Sequence, residues 1–119
     1  MRVITGSARG RRLRELEGLE TRPTTGKVKE ALFSVIQFDI EGRRVLDLFA
    51  GTGQLGIEAL SRGAESAVFV ERRKDALQAV RENLEACGFS DRARVVNGDA
   101  MSYLKSGEKF DLIFLDPPY

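Results

Sequence analysis

Val45-Leu46-Asp47-Leu48-Phe49-Ala50-Gly51-Thr52-Gly53-Gln54-Leu55-Gly56 is the stretch that decides the fold. A short apolar run carrying one carboxylate feeds a glycine turn, and Leu55, Ile57, Ala59 and Leu60 then continue as a helix closed by Gly63. A strand–glycine turn–helix unit of this kind opens a parallel βαβ fold, because the next strand must return by a crossover. Downstream the pattern repeats. Ala67-Val68-Phe69-Val70 reads as a buried strand ended by Glu71, and Leu77, Val80, Leu84 and Cys87 line a helix with Gly88 as its C′ residue. Val95-Val96 is a third strand ending near Asn97-Gly98-Asp99, with Asp99 free to cap a turn over Met101–Leu104. Leu112-Ile113-Phe114-Leu115 is a fourth, followed by Asp116-Pro117-Pro118-Tyr119. The fold class is therefore α/β, a doubly wound and mostly parallel Rossmann-like sheet with about four strands. Ligands of such sheets bind beyond the carboxyl ends of the strands, where each of these polar motifs falls.

Upstream, residues 1–22 alternate weakly and hold Gly6, Gly10 and Gly18, so they read as a β-hairpin or extended arm. Pro23 and Thr24 look like a helix start. Val28, Ala31, Leu32, Val35 and Ile36 then fall on one apolar face of a helix. The expected organisation is a basic arm and helix over 1–40 and a ligand-binding core over 41–119, within one compact unit.

Composition narrows the chemistry. Apolar residues make up 42% and charged residues 31% of 119, which suits a single globular domain rather than a disordered chain. No apolar run approaches the roughly 20 residues of a membrane span, and the N-terminus lacks an apolar export signal. Cys87 is alone, so an internal disulfide framework is excluded and a reducing cytoplasm is expected. His is absent, which removes His-based triads and the usual zinc sites and leaves no metal site expected. Residues 1–30 hold eight Arg and Lys against four Glu, while the remainder is slightly acidic. A basic end on a mildly acidic body suits a polyanion contact, or merely a solvated leader.

Gly51-Thr52-Gly53-Gln54-Leu55-Gly56 with Glu71 twenty positions beyond Gly51 suits either a dinucleotide or S-adenosylmethionine (SAM). Asp47 favours the second. A carboxylate running into the loop repels a pyrophosphate but attracts the ammonium and sulfonium of SAM. Asp99 could accept from an adenine amino group, with the Ala100 N–H beside it. Asp116-Pro117-Pro118-Tyr119 suits methylation of an exocyclic base amine, whose lone pair is delocalised into the ring. Two acceptors, the Asp116 carboxylate and the Pro117 carbonyl, would turn that lone pair toward the methyl group, while Tyr119 stacks on a flipped base. A plain Pro-Pro strand terminator is the competing reading.

The ordered set Asp47-Leu48-Phe49-Ala50-Gly51-Thr52-Gly53, Glu71, Asp99 and Asp116-Pro117-Pro118-Tyr119 resembles the class I SAM-dependent amino-methyltransferases. Ile4-Thr5-Gly6-Ser7-Ala8-Arg9-Gly10-Arg11, Thr21-Arg22-Pro23-Thr24-Thr25 and Glu30-Ala31-Leu32-Phe33 narrow the resemblance to the bacterial RsmD family, over the whole chain and in one register. The resemblance implies methylation of guanine N2 in small-subunit ribosomal RNA, by direct in-line transfer without a covalent enzyme intermediate or metal. It implies that Asp47, Gly51, Gly53, Glu71 and Asp99 contact SAM, with Glu71 on the ribose. Asp116, Pro117 and Tyr119 would hold the guanine, and Arg9, Arg11, Arg12, Arg22 and Lys27 would lie on the RNA side, with naked RNA or a ribonucleoprotein particle as substrate. Gly26-Lys27 departs from the acidic-then-basic pair expected after Thr25.

Family members continue past this motif to complete a seven-stranded sheet, so a fragment of a longer chain is expected here. Its fourth strand would form an open edge that invites dimerisation. The rivals are an amino-methyltransferase acting on adenine or cytosine in DNA or RNA or on a protein amide, a non-catalytic SAM- or RNA-binding module, and an NAD-dependent oxidoreductase.

Overall fold

The structure, a computed structural model, describes residues 1–16 and 26–117. The sequence expectations for the Pro23-Thr24 helix start, Arg22 and Tyr119 lie outside the described residues. Four strands form one parallel sheet in the order β3-β2-β1-β4, from β1 (Arg44–Asp47), β2 (Ser66–Glu71), β3 (Ala93–Asn97) and β4 (Leu112–Phe114). Val45 pairs with Ala67 on one side and with Leu112 on the other, so β1 is central and its side chains are buried from Val45 to Asp47. Strand order reverses between β1 and β4, the position at which doubly wound sheets open a ligand crevice.

Helices α1 (Gly26–Ile36), α2 (Gln54–Ser61), α3 (Lys74–Cys87) and α4 (Ala100–Leu104) complete the fold, with a 3₁₀ turn at Ser90–Arg92. Among the described residues, none of these helices is long and apolar enough to cross a membrane. The larger apolar cluster joins Val3, Leu13, Phe33, Val45, Ile57 and Phe69, so arm, helices and sheet share it. The second lies on the other sheet face, where Ala100 of α4 covers Leu46, Leu48, Val68 and Val70. As expected, α3 ends on Gly88 in the left-handed conformation, with Leu77, Val80 and Leu84 buried.

Among its described residues the N-terminal arm folds back on itself, with an antiparallel bridge between Arg2 and Arg12. Its anchor is Glu58 of α2, fully buried, whose Oε1 accepts the Ile4 N–H at 2.8 Å and whose Oε2 accepts the Thr5 N–H at 3.0 Å. The same carboxylate pairs with Lys29 Nζ at 3.2 Å and Arg62 Nε at 2.9 Å. Here the structure corrects the expected face of α1. Lys29 and Phe33 are the buried residues, Leu32 and Ile36 are half-buried, and Val28, Ala31 and Val35 are exposed. A buried carboxylate needs a cation, so Lys29 is drawn inward and the helix is turned away from its most apolar stripe.

Candidate cofactor and base site

Three carboxylates come from the carboxyl ends of three neighbouring strands, because each strand is followed at once by its turn. Asp47 closes β1, Glu71 closes β2 and Asp116 lies two residues beyond β4. Asp47 is the most deeply placed, at 1% exposure, and its Oδ2 accepts the Gly56 N–H at 3.1 Å. Burial pushes its carboxyl up to about 7; the Gly56 hydrogen bond opposes this, and the charges of Asp116 and Glu71 add to it. That last effect ties the three groups into one electrostatic unit. Glu71, half-buried, spans the loop: Oε1 accepts the Gly51 N–H at 2.9 Å, and Oε2 accepts those of Arg72 and Arg73 at 3.1 and 3.0 Å.

The glycine turn is shaped by these contacts. Gly53 precedes α2 with φ 86°, a left-handed conformation that side chains disfavour, and its N–H returns to the Ala50 carbonyl at 2.8 Å. Gly56 is required by proximity: a Cβ there would stand 2.4 Å from Cε2 of buried Phe69. Above Gly51, by contrast, a Cβ would meet nothing within 4 Å, so the loop is open to a ligand on that side. The N–H groups of Gly51, Gly53 and Gly56 are all donated to protein acceptors. A pyrophosphate cradle would need such groups turned outward. An acidic corner whose loop amides are already engaged suits a cationic ligand with hydroxyl groups.

Asp99 caps α4, its Oδ2 accepting the Ser102 N–H at 3.1 Å, while Oδ1 lies 3.6 Å from Nη1 of Arg72. The capping expected from the sequence is present, and it aims the carboxylate toward the end of β2. Ala100, the first residue of α4, is buried beside it. Pro117 follows Asp116 and is half-buried.

The basic residues divide. Ser7 and Ala8 are held by the Ser61 carbonyl and Oγ at 2.8 and 2.9 Å, which seats neighbouring Arg9 at the C-terminal end of α2. Arg11 lies close enough to Cys87, at the end of α3, for its charge to oppose the upward push of burial on that thiol. Both are therefore at the opposite end of the sheet from Asp47. Arg12 is exposed on the same arm. Lys27 is exposed in the first turn of α1. The sequence reading missed Asn83, Glu58 and Lys29. The available signal was a polar residue within an otherwise apolar helical face, as Asn83 is between Val80 and Leu84.

A family model described as conserved hypothetical protein 95 matches residues 1–119. Among curated proteins, YlbH of Bacillus subtilis is 50% identical over 123 residues, covering all of this chain and 67% of that protein. Ribosomal RNA small subunit methyltransferase D of Escherichia coli is 42% identical over 120 residues, covering all of this chain and 60% of that protein. The chain thus spans 60–67% of the length of these two curated relatives. The solved structure of YhhF from Escherichia coli superposes with a TM-score of 0.90 at 42% identity, covering all of this chain and 65% of its own. With its parallel β3-β2-β1-β4 sheet and acidic strand ends, the chain belongs to the conserved hypothetical protein 95 (RsmD) family and has the Rossmann-like core of class I SAM-dependent methyltransferases.

Proposed function

We propose that this chain carries the cofactor- and base-binding core of a SAM-dependent ribosomal RNA methyltransferase, acting on the exocyclic N2 of a guanine in small-subunit RNA. The observation that carries this reading is the placement of Asp47, Glu71 and Asp116 at the carboxyl ends of three neighbouring strands, β1, β2 and β4, beside the switch point of the sheet. A negative corner attracts a sulfonium ligand and repels a dinucleotide. When bound, SAM supplies an electrophilic methyl group. Asp47 would face its cationic part, Gly51 and Gly53 would let it lie close to the backbone, and Glu71 retains lone pairs for the ribose hydroxyls. Asp99 and the Ala100 N–H would meet the adenine.

For the base, the Asp116 carboxylate and the Pro117 carbonyl are the two acceptors that would orient the amine. Asp116 or water would take the proton released on transfer. Tyr119 would stack on the guanine. Most of the acceleration would come from orientation, since the amine needs only to be held in line with the methyl group. Residues 1–40 would carry the RNA contacts, with Arg9, Arg11, Arg12, Arg22 and Lys27 meeting phosphates, and residues 41–119 would be the catalytic core. Arg9 and Arg11, at the far end of the sheet from Asp47, would meet RNA that runs past the site rather than the nucleotide in it. The RNA could be naked or in a ribonucleoprotein particle.

The test has two stages. Calorimetric titration with S-adenosylhomocysteine, with NADH as control, should show binding of the first alone. Labelled methyl transfer from SAM to small-subunit RNA (free and in particles), to DNA and to protein should then mark RNA, with the label recovered as N2-methylguanosine. Label in adenosine or cytidine would overturn the guanine assignment, and binding of NADH alone would overturn the cofactor.

A further inference from the structure

Asn83 is a buried polar side chain, 3% exposed, that joins parts of the chain far apart in sequence. From α3 its Oδ1 accepts the Arg14 N–H at 2.7 Å. Its Nδ2 donates to the Arg14 carbonyl at 3.1 Å and to the Thr52 carbonyl at 2.9 Å. One carboxamide thus pairs with both backbone groups of an arm residue and holds the middle carbonyl of the Gly51-Thr52-Gly53 turn. The task needs one acceptor and two donors on a single plane, which an amide offers and a carboxylate does not.

The Thr52 carbonyl and the Gly53 N–H belong to one rigid peptide unit. One end of that unit is fixed by Asn83 and the other by the Ala50 carbonyl, at 2.8 Å from the Gly53 nitrogen. Without Asn83 the plate is pinned at one end only. Arg14 in turn decides which way the carboxamide faces, because its N–H must meet the oxygen and so presents the nitrogen to Thr52.

We propose that Asn83 is a positioning residue for the cofactor loop, and that the seating of the N-terminal arm at Arg14 sets the geometry of that loop through it. This rests on the reading of the loop as the SAM site. The arm is then part of the cofactor site's scaffold as well as a basic surface.

Three variants test it by S-adenosylhomocysteine calorimetry, with unfolding curves to confirm that each is folded. Asn83→Asp sets a carboxylate against the Thr52 and Arg14 carbonyls. Arg14→Pro removes the arm N–H from an exposed position and leaves Asn83 in place. Glu82→Gln removes only the ion pair between Glu82 and the Arg14 side chain. Affinity should fall about tenfold in the first two, as expected for loss of an anchoring hydrogen bond, and stay within twofold in Glu82→Gln. Amide exchange adds a local signature: in Arg14→Pro the Gly53 N–H should exchange at least tenfold faster while β1 amides keep their protection. If Asn83→Asp does not fold, Arg14→Pro decides. Wild-type affinity and wild-type Gly53 exchange in folded Arg14→Pro would overturn the proposal. Absence of binding by the wild-type chain would instead overturn the cofactor reading, and this inference with it.

Discussion

Asp47 holds the start of α2 by accepting the Gly56 N–H at 3.1 Å, from a carboxyl that burial pushes up to about 7. With Asp47 against the ligand, as proposed, this carboxyl would couple cofactor affinity to pH. Below about pH 7 the ligand-free carboxyl carries a proton, and a cationic ligand must displace it, so affinity should fall by up to tenfold for each pH unit below 7 and level off above. Folding runs the other way. The folded-state value lies above the ordinary 3.8, so the stability Asp47 contributes is fully present below about pH 3.8 and is lost as pH rises through about 7. Titrations of S-adenosylhomocysteine in buffers of different ionisation enthalpy should show proton release near pH 6.5, absent in Asp47→Asn. Equal affinities at pH 6 and pH 8 would refute the coupling.

Glu71 is the second support of the turn, and its contacts are separable from its charge. Its two oxygens accept three backbone N–H groups, from Gly51, Arg72 and Arg73. Glu71→Gln keeps one acceptor oxygen and faces the other N–H groups with an NH₂, so at least one donor loses its partner. The expected cost is about 1–3 kcal/mol in denaturant unfolding, together with weaker cofactor binding. Glu71→Asp, one methylene shorter, cannot span both sides of the turn and should not restore either property.

Buried charge away from the site should matter more to folding than to binding. Glu58 serves Ile4, Thr5, Lys29 and Arg62 at once. Glu58→Gln leaves the buried Lys29 ammonium, already pushed below its ordinary range by burial, without its anion. A loss of roughly 3–5 kcal/mol is expected in urea melts. Lys29→Met should cost less, because Arg62 remains beside the carboxylate. The reverse order would mean that Lys29, not Glu58, is the node on which the arm is built.

The strands and the acidic corner were legible because parallel βα units leave strong local marks. A run such as Val68-Phe69-Val70 can only be buried on both faces, and the residue that ends it, Glu71, must emerge at the ligand side. Asp99 was legible as a cap for the same local reason. What escaped was set by partners distant in sequence. Val28 and Val35 look like the inner face of α1 until Glu58, on another helix, claims Lys29. Asn83 interrupts the apolar face of α3 between Val80 and Leu84, but that mark does not name its partners, since its three hydrogen bonds go to Arg14 and Thr52, 69 and 31 positions away. Periodicity reports which side of a helix is apolar, and it is silent on which polar group is needed to complete a neighbour.

Gly56 joins core packing to the glycine turn most directly. The Asp47 carboxylate accepts its N–H, and Phe69 lies where its side chain would be, with a built Cβ 2.4 Å from Cε2 and 2.7 Å from Cζ. Phe69 is fully buried in the main core, and its ring is also 3.4 Å from a Cβ built at Gly53. Gly56→Ala gains about 0.5–1 kcal/mol of helix propensity. Overpacking of this kind costs about 1–3 kcal/mol, and a ring wedged under the turn has little room to yield, so the loss should win. Calorimetry should show a lower melting temperature, and S-adenosylhomocysteine should bind more weakly because the shifted ring presses on Gly53 from below. Gly56→Ala combined with Phe69→Leu should recover much of both losses. If the single variant melts at or above the wild-type temperature and binds normally, the ring has room to move and Gly56 is not required by contact.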